Sequence, residues 1–133
     1  MISLKNTLEA IKTKLSAHDK ALSVDYIVEQ GTSGIWTYRK WNSGIAECWG
    51  VDEFYHTSWA KWNPTGLYYS VGNHITNYPF SFSTIQNAQV RGDYWVSAFY
   101  ANASASSITT VWMTDTSSAR TIKASIYIKG TYK

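Results

Sequence analysis

This sequence predicts a mainly β fold: one N-terminal coiled-coil helix followed by an antiparallel β-rich head. Three observations predict it. Apolar residues recur at alternating steps of four and three from Leu4 to Leu22. From Val24 onward the period changes to two, in short runs divided by turns that contain Gly, Asn or Ser. Aromatic residues make up 16% of the 133, with seven Trp and ten Tyr, and charged residues only another 16%. Trp and Tyr bury large areas and keep a polar tip, so this balance suits sheet faces and contacts between copies. An aromatic β core with no partner is the alternative.

The helical segment comes first, as a stalk over residues 1–23. Leu8, Leu15 and Leu22 take the a positions of a heptad, and Leu4, Ile11 and His18 take d. The stripe is narrow, as in a coiled-coil seam, where a helix packed on a globular core has a wider one. Leu at a with Ile at d disfavours dimers and points to three or more chains. Lys14 at g and Asp19 at e could pair between neighbours, worth at most about 1 kcal/mol on an exposed surface. In a symmetric trimer His18 would place three imidazoles on the axis. They could chelate an ion or sense pH, or simply set the register around a water, as polar seam residues commonly do. The helix is roughly 30 Å long. Helices this short are marginal alone, so it needs a head that joins its ends or more stalk upstream. Ser3 is placed to cap it.

The head takes residues 24–133. Ile35 to Trp41 is rich in strand formers, Asn42-Ser43-Gly44 is a turn signal, and Ile45 to Gly50 returns as the second arm of a hairpin. Residues 52–80 are irregular, punctuated by Pro64, Gly66, Gly72 and Pro79. Ser83 to Gln89 reads as a loop or helix. Trp95–Tyr100 and Ile108–Met113 read as strands. Ile122, Ala124, Ile126 and Ile128 alternate with polar neighbours in a half-buried final strand. Strands of this length and spacing make a sandwich or a barrel.

Several classes of chemistry lack their residues. No nucleotide-binding glycine loop, HExxH or GxSxG is present. The lone cysteine, Cys48, has no disulfide or CxxC partner and reads as a buried apolar residue. His18, His56 and His74 stand far apart, so no metal site and no cofactor is expected. Net charge is +3, with the cations densest in the first twenty residues and no basic stripe on the β region, which argues against nucleic acid. No run is long enough to cross a bilayer. The opening Met-Ile-Ser-Leu-Lys lacks the features of a signal peptide, so synthesis in the cytoplasm and release by lysis or particle assembly are expected. Arg91-Gly92-Asp93 spells an adhesion tripeptide but reads as a turn before a strand. Of the carboxylates that a glycan-cleaving enzyme would pair, Glu47, Asp52, Glu53, Asp93 and Asp115 are available. Asp52 and Glu53 are adjacent and would point apart, so a non-enzymatic protein is expected.

The segment from Gln30 to Gly50, with Trp36-Thr37-Tyr38-Arg39-Lys40-Trp41, the Ser43-Gly44 turn and Trp49-Gly50, resembles the opening of the C-terminal head domain in tail-fibre and minor structural proteins of phages and prophages of Gram-positive bacteria. The resemblance is specific over about twenty residues and continues loosely through a Tyr-Trp strand to Ile126-Tyr127-Ile128-Lys129-Gly130. It implies a β-sandwich head, a homotrimer on a coiled-coil stalk, residence in a virion or prophage-derived particle, and attachment to a host surface. It supplies no binding residues. Bacterial surfaces carry glycan, and aromatic rings stack on the C–H faces of sugars, so Trp59, Trp62, Tyr68, Tyr69 and Tyr78 are the candidate ligand residues. Core or interface packing is the other reading of the same rings. Overall net positive charge leans toward an anionic glycan. A purely structural trimerisation domain needs the same scaffold, and a polysaccharide-degrading enzyme is the more distant alternative.

Overall fold

A computed structural model describes residues 3–22 and 24–133, with side chains described for residues 3–16 and 24–133. Helix α1 runs from Leu4 to Leu22. Ser3 caps it as expected: its Oγ accepts the Asn6 N–H at 3.3 Å and its carbonyl accepts the Thr7 N–H at 3.2 Å. Leu4, Leu8, Ile11 and Leu15 are between 49% and 76% exposed. Among the described residues, none covers these four side chains. The side chains of the other two predicted seam positions, His18 and Leu22, and of Asp19, lie outside the described ones.

The head forms two antiparallel sheets that face each other. The strands of the first are β1 (Ile27–Ser33), β2 (Trp36–Trp41), β3 (Ile45–His56), β7 (Thr84–Arg91) and β10 (Arg120–Thr131), in the order β1-β2-β3-β10-β7. The second holds β4 (Trp59–Trp62), β5 (Leu67–Ser70), β6 (His74–Asn77), β8 (Val96–Ala103) and β9 (Ser107–Thr114). Strand β9 is its axis. Strand β8 pairs along one side of it, while β5 and β6 lie end to end along the other, at Met113–Thr114 and Ser107–Thr110. The predicted hairpin is β2–β3, with Trp36 opposite Gly50 and Lys40 opposite Ala46.

Two expectations change. The irregular stretch 52–80 contains the end of β3 and all of β4, β5 and β6. Ser83–Gln89 is neither loop nor helix from Thr84 on; it is the edge strand β7. Its half-buried Ile85 and Val90 both face inward, although they are five residues apart. A bulge at Gln86 resets the register, since Ile85 opposes Gly130 while Asn87 opposes Lys129.

The inward rows interlock. Ala46 and Cys48 from β3, and Ile122, Ala124, Ile126 and Ile128 from β10, pack against Ile108 and Trp112 of β9, with Tyr78 and Phe82 closing one end. The Trp36 indole N–H donates to the Asn77 carbonyl at 2.7 Å and so ties β2 to the second sheet. Gly50 belongs to this packing for steric reasons. A Cβ there would lie 2.3 Å from the Ile35 carbonyl oxygen. The glycine that ends the resembling segment is therefore scaffold.

Cys48 is fully buried, and burial, helped by the Glu47 charge, pushes its thiol up to about 12 from 9.0. Iodoacetamide at pH 8 should leave the folded protein unmodified and label it fully in urea, which mass spectrometry reads directly. The linkage has a definite sign. Above pH 9 the unfolded chain loses this proton while the folded chain keeps it, so stability falls from pH 9 upward. Tyr127, also raised to about 12 by burial and by its bond to Glu47, adds to the fall above pH 10.

Candidate functional site

The outer faces of the two sheets differ in chemistry. On the first sheet, outward positions carry charge. Arg39 lies 3.9 Å from Glu47 and stacks 5.1 Å over the Trp49 ring. The Tyr127 hydroxyl donates to Glu47 at 2.6 Å, and Lys123 faces Glu53 at 3.9 Å. A shallow depression of about 430 Å³ opens there between β7 and β10, lined by Gln89, Arg91, Ser125 and Tyr127 among others.

The second sheet is different. Buried Ile108, Thr110, Trp112 and Thr114 define its inward row, and register assigns the outward one. Met113 has Tyr69 on one side and Ser97 on the other. Val111 faces Tyr100, and Thr109 lies between Asn102 and Ile75. On the outer strand pair Ala60 and Trp62 lie on the same side as Tyr69 and Leu67. No outward position on these strands is charged. Lys61, the one Lys or Arg in the five strands, stands on the opposite row, across from Tyr68.

A bulge concentrates aromatic surface on this face. Register jumps between Ala98, opposite Trp112, and Tyr100, opposite Val111, which leaves Phe99 as the extra residue. Phe99 is 47% exposed and still meets Trp62 edge-on at 4.9 Å and Tyr69 at 6.5 Å with rings 28° apart. Tyr100 is exposed beside it. At the β7–β8 turn Tyr94 and Trp95 pack edge to face at 4.8 Å and are 87% and 63% exposed. They line a depression of about 260 Å³ with Leu67, Ser97, Met113 and Asp115. Exposed apolar surface of this extent marks a contact site more often than it marks a bare exterior.

The five predicted ligand residues divide accordingly. Trp62 and Tyr69 are on the outer face. Trp59 and Tyr68 belong to the inward row, and Trp59 packs against the core with its ring edge-on to His56. Tyr78 is only 8% exposed, wedged between Trp36 and Phe82, and offers a ligand almost no surface; burial raises its hydroxyl well above the tyrosine range. Phe99, Tyr100, Tyr94 and Trp95 join the face instead. Their sequence signal is the doubled aromatic Phe99-Tyr100, which breaks the alternation of a strand.

Polar chemistry lies between the sheets. Asp52 Oδ2 accepts from His74 Nε2 at 2.8 Å and from the Thr76 hydroxyl at 2.6 Å, while the His74 ring stacks on Phe54 at 3.5 Å. Both donors converge on one carboxylate oxygen. Thr76 gives its proton to Asp52 and not to the imidazole, so the group clasps β3 to β6 and does not activate a nucleophile. Asp52→Ala should cost about 2 kcal/mol by orphaning both donors, read as a lower urea midpoint. Glu47 and Asp52 leave opposite faces of β3, as residues of odd separation must, so they do not pair across a cleft. In the Arg-Gly-Asp tripeptide the glycine has a steric reason: a Cβ on Gly92 would lie 1.9 Å from the Val96 carbonyl oxygen. Among the described residues no three His, Cys, Asp or Glu gather as metal ligands, and no helix is long and apolar enough to cross a membrane.

No protein-family model, curated protein or solved structure matches this chain.

Proposed function

We propose that this chain is the tip of a phage or prophage tail fibre, a homotrimer whose α1 helices coil together and whose β-sandwich heads attach the particle to bacterial surface glycan. The exposed apolar seam of α1 carries the reading. Leu4, Leu8, Ile11 and Leu15 hold heptad spacing on a capped helix that buries none of them in its own chain. Identical helices with matching seams are the simplest cover for such a stripe, and Leu at a with Ile at d suits three strands. The attachment half of the reading is supported by the uncharged aromatic face of the second sheet, which the charged outer face of the first does not share.

The solution mass tests it. Light scattering after size exclusion should give three times 15.0 kDa. A monomer would remove the stalk from the reading. A trimer that does not adhere to cells of any Gram-positive host panel would leave a structural trimerisation domain.

A further inference from the structure

Building on the attachment reading, we infer that the outer face of the second sheet is a saccharide-binding surface and that its ligand is a neutral sugar chain, with hydroxyls but no carboxylate, phosphate or sulfate.

The rings on this face form one surface. Phe99 touches both Trp62 and Tyr69, from two different strands, at 4.9 and 6.5 Å. Ring faces are electron-rich, and the C–H bonds along one side of a pyranose are weakly positive, so the two stack without an ion on either side. The polar side chains on the same outward row, Ser97 beside Met113 and the Asn102–Thr109 pair beyond Tyr100, are neutral. Hydroxyls and an amide both donate and accept, which matches sugar hydroxyls.

The charge distribution opposes an anion. A desolvated carboxylate or phosphate needs cations or several donors to replace its water. The outward positions of β4, β5, β6, β8 and β9 hold no Lys or Arg. The charged group in the adjoining depression is Asp115, an acid. Arg120 belongs to the inward row of β10 and donates to the Trp95 carbonyl at 3.5 Å. Two of the three net positive charges fall within residues 1–22, away from this face. The lean toward anionic glycan that follows from net charge alone therefore reverses once the charges are placed.

A second copy of the chain is the weaker occupant. The exposed apolar residues that follow α1 in the chain are Val24, Tyr26, Ile27 and Val28, the last two on β1 at the edge of the first sheet. Contact between copies extends along that edge by continuity and leaves the second sheet's outer face to a ligand.

An array of immobilised oligosaccharides tests the inference, with neutral chains beside uronate- and phosphate-bearing ones. It is probed with the full chain, with Phe99→Ser, with Tyr69→Ser as an independent variant, and with Tyr55→Ser on the other face as control. Signal is expected on neutral chains, falling about tenfold in Phe99→Ser and Tyr69→Ser and unchanged in Tyr55→Ser, with all masses equal. Signal confined to acidic chains, or undiminished in both variants, overturns the inference. A loss of mass in Phe99→Ser also overturns it, because the face then holds a second copy. A blank array overturns it too; adhesion of the same protein to whole cells then separately decides whether attachment itself stands.

Discussion

Leu15→Asp is expected to turn the proposed trimer into monomers of 15.0 kDa without lowering the melting temperature of the head. Leu15 is 57% exposed in the single chain, so the change removes no packed contact within it. On a three-fold axis the same change gathers three carboxylates where water is excluded. Desolvating each costs several kcal/mol, with no cation in the seam to offset it. The helix is too short to tolerate that loss, since isolated helices of this length are marginal. Light scattering gives the mass, and circular dichroism at two wavelengths separates melting of the head from loss of helix. A trimer that survives the substitution would mean that the heads alone hold the copies together, with the seam along for the ride.

Trp112→Ala has the largest expected effect on the head itself, about 4 kcal/mol. The side chain is fully buried on β9, where its indole N–H donates to Thr110 Oγ1 at 2.9 Å. Its backbone N–H donates to Ser70 Oγ at 2.9 Å, so the residue sits where β5 meets the axial strand. Phe54 from the first sheet approaches it at 6.3 Å. Truncation leaves a cavity bounded by both sheets, which neither can fill without breaking its ladder. Folded domains are stable by about 5–15 kcal/mol in total, so the variant should unfold at a much lower urea concentration, with the transition still cooperative. A small shift would mean that the interior repacks around the void.

Much of this architecture is legible in the amino acids, and particular residues explain why the remainder is not. Strand β10 can be read because Ile122, Ala124, Ile126 and Ile128 alternate with polar residues and one face is dry. Helix α1 can be read because Leu and Ile keep heptad steps. Strands β4, β5 and β6 are only four residues each, too short for any period to emerge. In β6 the buried side chain is Thr76, a polar residue held by Asp52 across the sandwich, so hydrophobicity does not mark it. Strand β7 hides because its bulge puts Ile85 and Val90 on one face at an odd spacing. The candidate surface was half visible. Residue type alone marks Trp62 and Tyr69, whereas separating them from Trp59, Tyr68 and Tyr78 requires knowing which way each strand faces. The absence of Lys and Arg from β5, β6, β8 and β9 is written in the sequence, but it acquires meaning only when those strands are seen to share one sheet.

The joint between stalk and head has a mechanical consequence. Asp25 accepts the Ser43 backbone N–H at 2.9 Å and the Ser43 hydroxyl at 2.7 Å, and the Tyr26 carbonyl accepts from Asn42 at 2.8 Å. These bonds join the residues leaving α1 to the β2–β3 turn, beside the ladder that joins β1 to β2. A pull along α1 would enter the sandwich here, where the clasp and the ladder stand side by side. Fraying of β1 from its N-terminal end would therefore have to break the Asp25–Ser43 and Tyr26–Asn42 bonds as well as the first rung of the ladder.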